Sequence, residues 1–187
     1  KLISDYNRLY EQKSAILKDW REKPSLLDTL DDFSDQMCKV SAQIIRYRAA
    51  YARRLERAAK PIHADFSGGR EDLSLFYQTV STVTAPLDGP REILPRLLEH
   101  QQSHRQAELD SRQCLSGPHK DDLVVNLNGM SAKTYGSQGQ TRTAAISLKL
   151  AQRELMGRES GEIPVLLLDD VLSELDPGRQ DFVLNQI

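Results

Sequence analysis

A chain of 187 residues with 39% apolar and 28% charged side chains has the composition of a soluble globular protein and can bury one medium core or two small ones. Its 25 Lys and Arg against 27 Asp and Glu leave no global basicity to announce a nucleic acid, so any such binding must rest on local patches. Cys38 and Cys114, far apart and without C-x-x-C spacing, argue against a disulfide framework or a thiolate metal site and fit a reducing, cytoplasmic compartment. No signal-peptide pattern opens the chain, and no apolar run nears the roughly 20 residues of a membrane span.

The chain begins at Lys1, without Met and already in a helical pattern, and Ile187 interrupts another such run, as expected of a piece of a longer protein. Ile3, Tyr6, Tyr10, Lys13, Leu17 and Trp20 follow steps of three and four residues and predict one helical stripe. Arg21 to Pro24 breaks it, and Ser25 with Asp28 reads as a capping box opening a second helix. In that helix Leu26, Leu30, Phe33, Met37, Val40, Ile44, Tyr47 and Tyr51 keep a heptad alternation, which with the short connection predicts an antiparallel helical hairpin. Arg46, Arg53, Arg57 and Lys60 recur at seven, four and three residues, so they share a face able to follow a phosphate backbone or simply to be solvated.

Pro61 is expected to stop this helix. Leu73 to Val80 reads as a strand, and Ile93 to Leu109 as a helix apolar at one end only. A domain boundary is expected near Asp110, dividing a mainly α-helical arm (1–110) from an α/β segment (111–187). There Leu123 to Leu127 and Met130 to Thr134 predict two strands around an Asn128-Gly129 turn. Thr141 to Met156 predicts a helix ending near Gly157, and Pro164 to Leu168 a strand buried on both faces of a parallel sheet. Asp169 and Asp170 end that run, where open α/β sheets place ligands, and two adjacent carboxylates with no basic neighbour favour a cation.

Two segments carry the chemistry. Tyr135-Gly136-Ser137-Gln138-Gly139-Gln140 stands directly before a helix, where small residues, a hydroxyl and free amides suit a phosphate. Alone it could equally be a capped turn. Val165 to Asp176 reads V-L-L-L-D-D-V-L-S-E-L-D, and Asp169 follows Gln140 by 29 positions, room for one helix and one strand. The order resembles that of ABC ATPases, with Ser137-Gln138-Gly139-Gln140 like the signature, Leu166 to Asp170 like Walker B, and Ser173-Glu174-Leu175-Asp176 like the D-loop. Together with Gly117-Pro118-His119-Lys120-Asp121-Asp122-Leu123, Asn128-Gly129, the run through Thr143, Ile44 to Arg48 and Leu73 to Tyr77, the pattern resembles the bacterial RecF recombination mediators, an SMC-like family within that class.

The resemblance implies an α/β fold made of the C-terminal part of an ABC-type ATPase lobe plus an inserted helical arm, with the Walker A loop and a final strand outside the chain. It implies an ATP- and Mg²⁺-dependent, slow ATPase that binds DNA at single-strand to duplex junctions, dimerises on ATP, and works with RecR and RecO-like partners to load recombinase. Ser137, Gly139 and Gln140 would contact the γ-phosphate in trans, Asp169 would hold Mg²⁺ through water, Asp170 would orient the attacking water, and Ser173 and Asp176 would belong to the D-loop. Asp170 departs from the glutamate usual in ABC ATPases but fits this family, and Lys120 stands where the family commonly has arginine. The chain alone, lacking Walker A, is expected not to hydrolyse ATP. His119 is expected to be a turn residue or ion-pair partner without a catalytic role. A structural SMC-like ATPase is the competing reading, against which stands a hairpin reaching only about 50 Å at ~1.5 Å per residue. A non-enzymatic interaction module is the other.

Overall fold

The computed structural model describes residues 1–167 and 177–186. Helix α1 (Leu2–Asp19) is followed by a 3-10 turn (Pro24–Leu26), the long helix α2 (Leu27–Ser67), strand β1 (Leu73–Gln78) and helix α3 (Pro90–Ser111). Strands β2 (Asp122–Leu127) and β3 (Met130–Ser131), the single turn α4 (Ala132–Tyr135), α5 (Gln138–Ser160) and α6 (Pro177–Gln186) follow among the described residues. Among the described residues the fold is mostly helical with one three-stranded sheet, ordered β1-β2-β3, in which β2 and β3 are antiparallel. Two compact units divide the chain, one from Lys1–Ala50 with Tyr77–Asp122 and one from Tyr51–Phe76 with Leu123–Ile187.

In the first unit the helical hairpin forms because α1 and α2 both carry apolar stripes. Ile16 and Leu17 cluster with Leu30, while Tyr6 and Leu9 cluster with Met37 and Ile44, the reversed order that antiparallel neighbours give. The stripes lie slightly off the expected positions. Ile3 is exposed while Leu9 and Ile16 are buried, and on α2 Tyr47 and Tyr51 face solvent while Cys38, Ala42, Ile45 and Ala49 are buried. The cause is geometric: a straight 3.6-residue helix drifts by about 20° per heptad against a strict seven-residue repeat, so the heptad positions rotate out of the core. Here α2 also meets Val80, Val83, Ile93 and Leu97 through Cys38, Ala42 and Ile45. Between α1 and α3 a buried polar group interrupts the apolar packing, with Lys13 bonded to Gln101 and Glu108.

In the second unit α2 continues through Pro61 to Ser67, contrary to the expected stop. A proline inside a helix costs about 3 kcal/mol, and the residues around it offset that cost by burial: Ala59 and His63 have no exposed surface and Phe66 is 5% exposed. Leu55 and Ala59 pack on Leu73, Leu127, Ala144, Ala151 and Leu155, so α2 and α5 share one core with the sheet. The Asn128-Gly129 turn is observed, with φ of 51° and 80°, the left-handed pair a tight hairpin requires. The return strand is shorter than expected, ending at Ser131, because Ala132 turns into the core and starts α4. Helix α5 is longer than expected and ends before Gly161 rather than near Gly157. Pro164 to Leu167 form no strand, and Val165 and Leu167 are each 88% exposed. A strand buried on both faces needs a neighbour on either side, and none of the described residues supplies one to this segment.

Candidate functional site

The turn before α5 is built by local hydrogen bonds. Ser137, in an extended conformation, caps the helix: its Oγ accepts from the Gln140 amide at 3.2 Å, and the Gln140 Oε1 accepts from the Ser137 amide at 2.9 Å. The S-x-x-Q spacing of Ser137 and Gln140 is therefore a capping box, a feature sequence reading had the signal to find. Ser137, Gln138 and Gly139 are exposed, and the chain reaches them through Gly136, where an added Cβ would stand 2.5 Å from the Ala132 carbonyl oxygen. Only glycine permits that approach.

The geometry leaves donors facing outward. Intrahelical bonding begins with the Thr141 amide on the Ser137 carbonyl at 2.9 Å, so the amides of Gln138 and Gly139 have no carbonyl of their own helix to bind. The Ser137 oxygen acts as acceptor in the cap, and among the described residues no acceptor is seen for its hydroxyl hydrogen. Two amides, one hydroxyl and the positive end of a 23-residue helix make a site that fits a phosphate oxygen. Asp169, Asp170, Ser173 and Asp176 lie outside the described residues. Among the described residues no group of three or more His, Cys, Asp or Glu side chains could hold a metal ion.

The basic face of α2 divides between the units. Arg53, Arg57 and Lys60 are exposed on the part of α2 in the second unit, whereas Arg46 is half-buried in the first. Lys60 lies 3.1 Å from Asp72, a surface pair of small energetic weight. Among the described residues no ion pair engages Arg53 or Arg57. Arg54, outside the stripe, bonds Glu159.

The segment from Gly117 to Asp122 is tied down within the first unit. Arg48 donates to the Pro118 carbonyl at 2.6 Å, and the Tyr77 hydroxyl donates to Asp121, whose carboxyl burial pushes up. His119 donates from Nε2 to the Cys114 carbonyl at 3.0 Å and accepts at Nδ1 from the Tyr6 hydroxyl at 2.6 Å. Burial lowers its pKa, which favours this neutral ring. His119 thus joins α1 to the loop, and its bonds describe a structural part.

With the fold and turn in view, the likeness to solved structures is to nucleotide-bound recombination mediators. No family model matches the chain. It aligns with the recombination mediator protein RecF of the RecFOR pathway, solved with ATP and with an ATP analogue, at TM-scores of 0.88 and 0.87 and 31% identity, covering 99% of this chain and 49% of those. Curated relatives carry the same name. The DNA replication and repair protein RecF of Bacillus subtilis is 42% identical over 186 residues, and that of Acetivibrio thermocellus 40% over 185, each covering 99% of this chain and 50% of the relative. The chain is therefore similar over nearly its whole length to one half of RecF, and spans about half the length of the relatives it matches.

Proposed function

We propose that this chain is the half of a RecF-type ATPase that carries the signature turn, the Walker B strand, the D-loop and the helical arm, and that the complete protein is an ATP-dependent, DNA-binding mediator of recombinational repair. The observation that carries the reading is the capped turn Ser137–Gln140, with its outward donors at the start of α5, in a chain 31% identical to a mediator solved with ATP. In this reading Ser137, Gly139 and Gln140 meet the γ-phosphate of a nucleotide held by a second subunit. Asp169 holds Mg²⁺ through water, Asp170 orients the attacking water, and Ser173 and Asp176 couple the two sites. Residues 111–187 belong to the ATPase lobe and 1–110 to the inserted arm, and the exposed Val165 and Leu167 find their sheet neighbours in the half of the lobe that carries Walker A.

DNA at a single-strand to duplex junction is held in part by Arg46, Arg53, Arg57 and Lys60, and RecR and RecO-like proteins are the partners. Hydrolysis is slow and needs both halves of the lobe. The test is Ser137→Arg in the complete protein, which sets a bulky cation over the outward amides. ATP-driven dimers in sedimentation are expected to disappear while the monomer still binds ATP. Dimers formed as by the wild type would refute the assignment of the turn.

A further inference from the structure

A line of buried polar groups runs from the end of α2 to the turn before α5, entirely within the second unit. Thr143 and Ser147 lie one helical turn apart on α5, and neither has any exposed surface. Thr143 Oγ1 donates to the Gly139 carbonyl at 2.8 Å, and Ser147 Oγ donates to the Thr143 carbonyl at 2.9 Å. Ser147 Oγ also lies 3.1 Å from His63 Nδ1, a buried hydrogen bond that ties the ring to α5. The other ring nitrogen, Nε2, lies 3.1 Å from Glu71 Oε2. The ring is thus held at both nitrogens with none of its side chain exposed, and Nε2 faces a carboxylate that is 11% exposed.

Such a group is an unusual choice for a core position. The neighbouring inward residues of α2 are Leu55, Ala59 and Phe66, and an apolar side chain at 63 would pack among them without desolvating polar nitrogens. What the ring supplies instead is direction. Glu71, two residues before β1, fixes one end of the ring, and Ser147 takes the other. From Ser147 the bonds pass by the Thr143 carbonyl and hydroxyl to the carbonyl of Gly139, inside the candidate phosphate turn.

We propose that His63 is a positioning residue for the signature turn: anchored on Glu71, it sets the rotation and height of α5 through Ser147 and Thr143, so that Ser137 and the amides of Gln138 and Gly139 face the phosphate. The proposal rests on the reading of Ser137–Gln140 as the nucleotide-contacting turn, and it adds a residue on the arm helix that touches no nucleotide.

The test uses the complete protein with His63→Leu, His63→Asn and His63→Gln beside Ser137→Arg, each with Mg-ATP. His63→Leu should weaken ATP-driven dimerisation about tenfold or more, the effect of leaving one buried hydrogen-bonding group without its partner, with monomer ATP affinity held within about twofold. Amide exchange over residues 140–147 should quicken by a similar factor. The side-chain amide of His63→Asn reaches where Nδ1 stood and should restore much of the dimerisation; that of His63→Gln reaches where Nε2 stood, keeps Glu71 and should not. A residue important only for stability would instead show dimerisation following the unfolding midpoint, with no order between Asn and Gln, and that result overturns the proposal. Normal dimers and normal exchange in His63→Leu, with Ser137→Arg defective, overturn it as well while sparing the turn. Normal dimers in Ser137→Arg remove the reading of the turn and the proposal with it, whereas faster exchange in His63→Leu would still locate the anchor of α5.

Discussion

Lys13 stands on the inward stripe of α1 with no exposed surface, and its ammonium lies 2.7 Å from both Gln101 Oε1 and Glu108 Oε2. Glu108, 1% exposed, also accepts from Gln101 Nε2 at 2.6 Å and from the Leu115 amide at 2.7 Å, so this one carboxylate joins α1, α3 and the segment that follows α3. Lys13→Met keeps the length of the side chain and removes the charge. Glu108 is then a buried anion with two neutral donors, and the loss should be about 3–5 kcal/mol, the usual cost of breaking a buried pair by deleting one partner. With a urea slope near 2 kcal/mol per molar, the midpoint should fall by about 2 M. Trp20, the chain's one tryptophan, donates to the carbonyl of Leu109 at 3.3 Å, beside Glu108, so its fluorescence reports this unit. Lys13→Met/Glu108→Gln, which removes both charges and keeps an acceptor for Leu115, should recover to within about 2 kcal/mol of the wild type, because the penalty belongs to the orphaned charge and not to the absence of the pair. A single variant within about 1 kcal/mol of the wild type, or a double variant no better than the single, would refute this account.

Three further outcomes follow from the same residues. Burial raises both thiols, Cys38 up to about 12, so neither should react with an aromatic disulfide reagent at pH 8 until urea is added; rapid labelling of the native chain would contradict the packing around α2. Asp170→Asn in the complete protein should retain Mg-ATP and lower turnover by about 100-fold or more, since the amide keeps the size of the side chain but cannot act as a carboxylate toward water; undiminished turnover would assign the water to another residue. Arg53→Glu/Arg57→Glu should reduce the salt slope of duplex affinity by about 1.8, at ~0.9 per phosphate contact, nearly equally for all sequences; unchanged slope and affinity would make the stripe a solvated face.

What could be read from the sequence depended on the range of the interaction. The helices, the Asn128-Gly129 turn and the cap at Ser137 arise from residues a few positions apart, and they appear in the structure close to where spacing placed them. Pro61 was misleading because the burial that keeps α2 helical around it comes from α5 and the sheet, which a local rule does not see. Lys13 sat visibly in an apolar stripe, but its partner is at position 108 and no local signal joins the two. His63 is hidden for the same reason: a lone histidine within a helical run carries no motif, and its meaning depends on Ser147 and Glu71. The one local signal was phase, since Ala59, His63 and Phe66 fall on one face of α2. Pro164 to Leu167 show the converse case. Their apolar run predicts a buried strand, and among the described residues Val165 and Leu167 are exposed instead.

The end of α2 connects the two candidate activities. Arg53, Arg57 and Lys60 face outward and Leu55, Ala59, His63 and Phe66 face inward on the same stretch of helix, within one unit. A phosphate backbone bound on the outer face and a nucleotide phosphate bound at the start of α5 would therefore both bear on one rigid element, DNA directly and nucleotide through Ser147 and His63. Linkage makes such a relation reciprocal: whatever factor DNA adds to the affinity of the signature turn for nucleotide, nucleotide must add to the affinity for DNA. An apolar residue at position 63 would remove the bond to Ser147 while leaving Arg53, Arg57, Lys60 and Ser137 in the sequence. The salt-slope experiment on the stripe and the His63 series consequently address one helix from its two faces, and a His63→Leu protein that lost nucleotide-dependent DNA affinity while keeping its nucleotide-free affinity would place the coupling in that single buried ring.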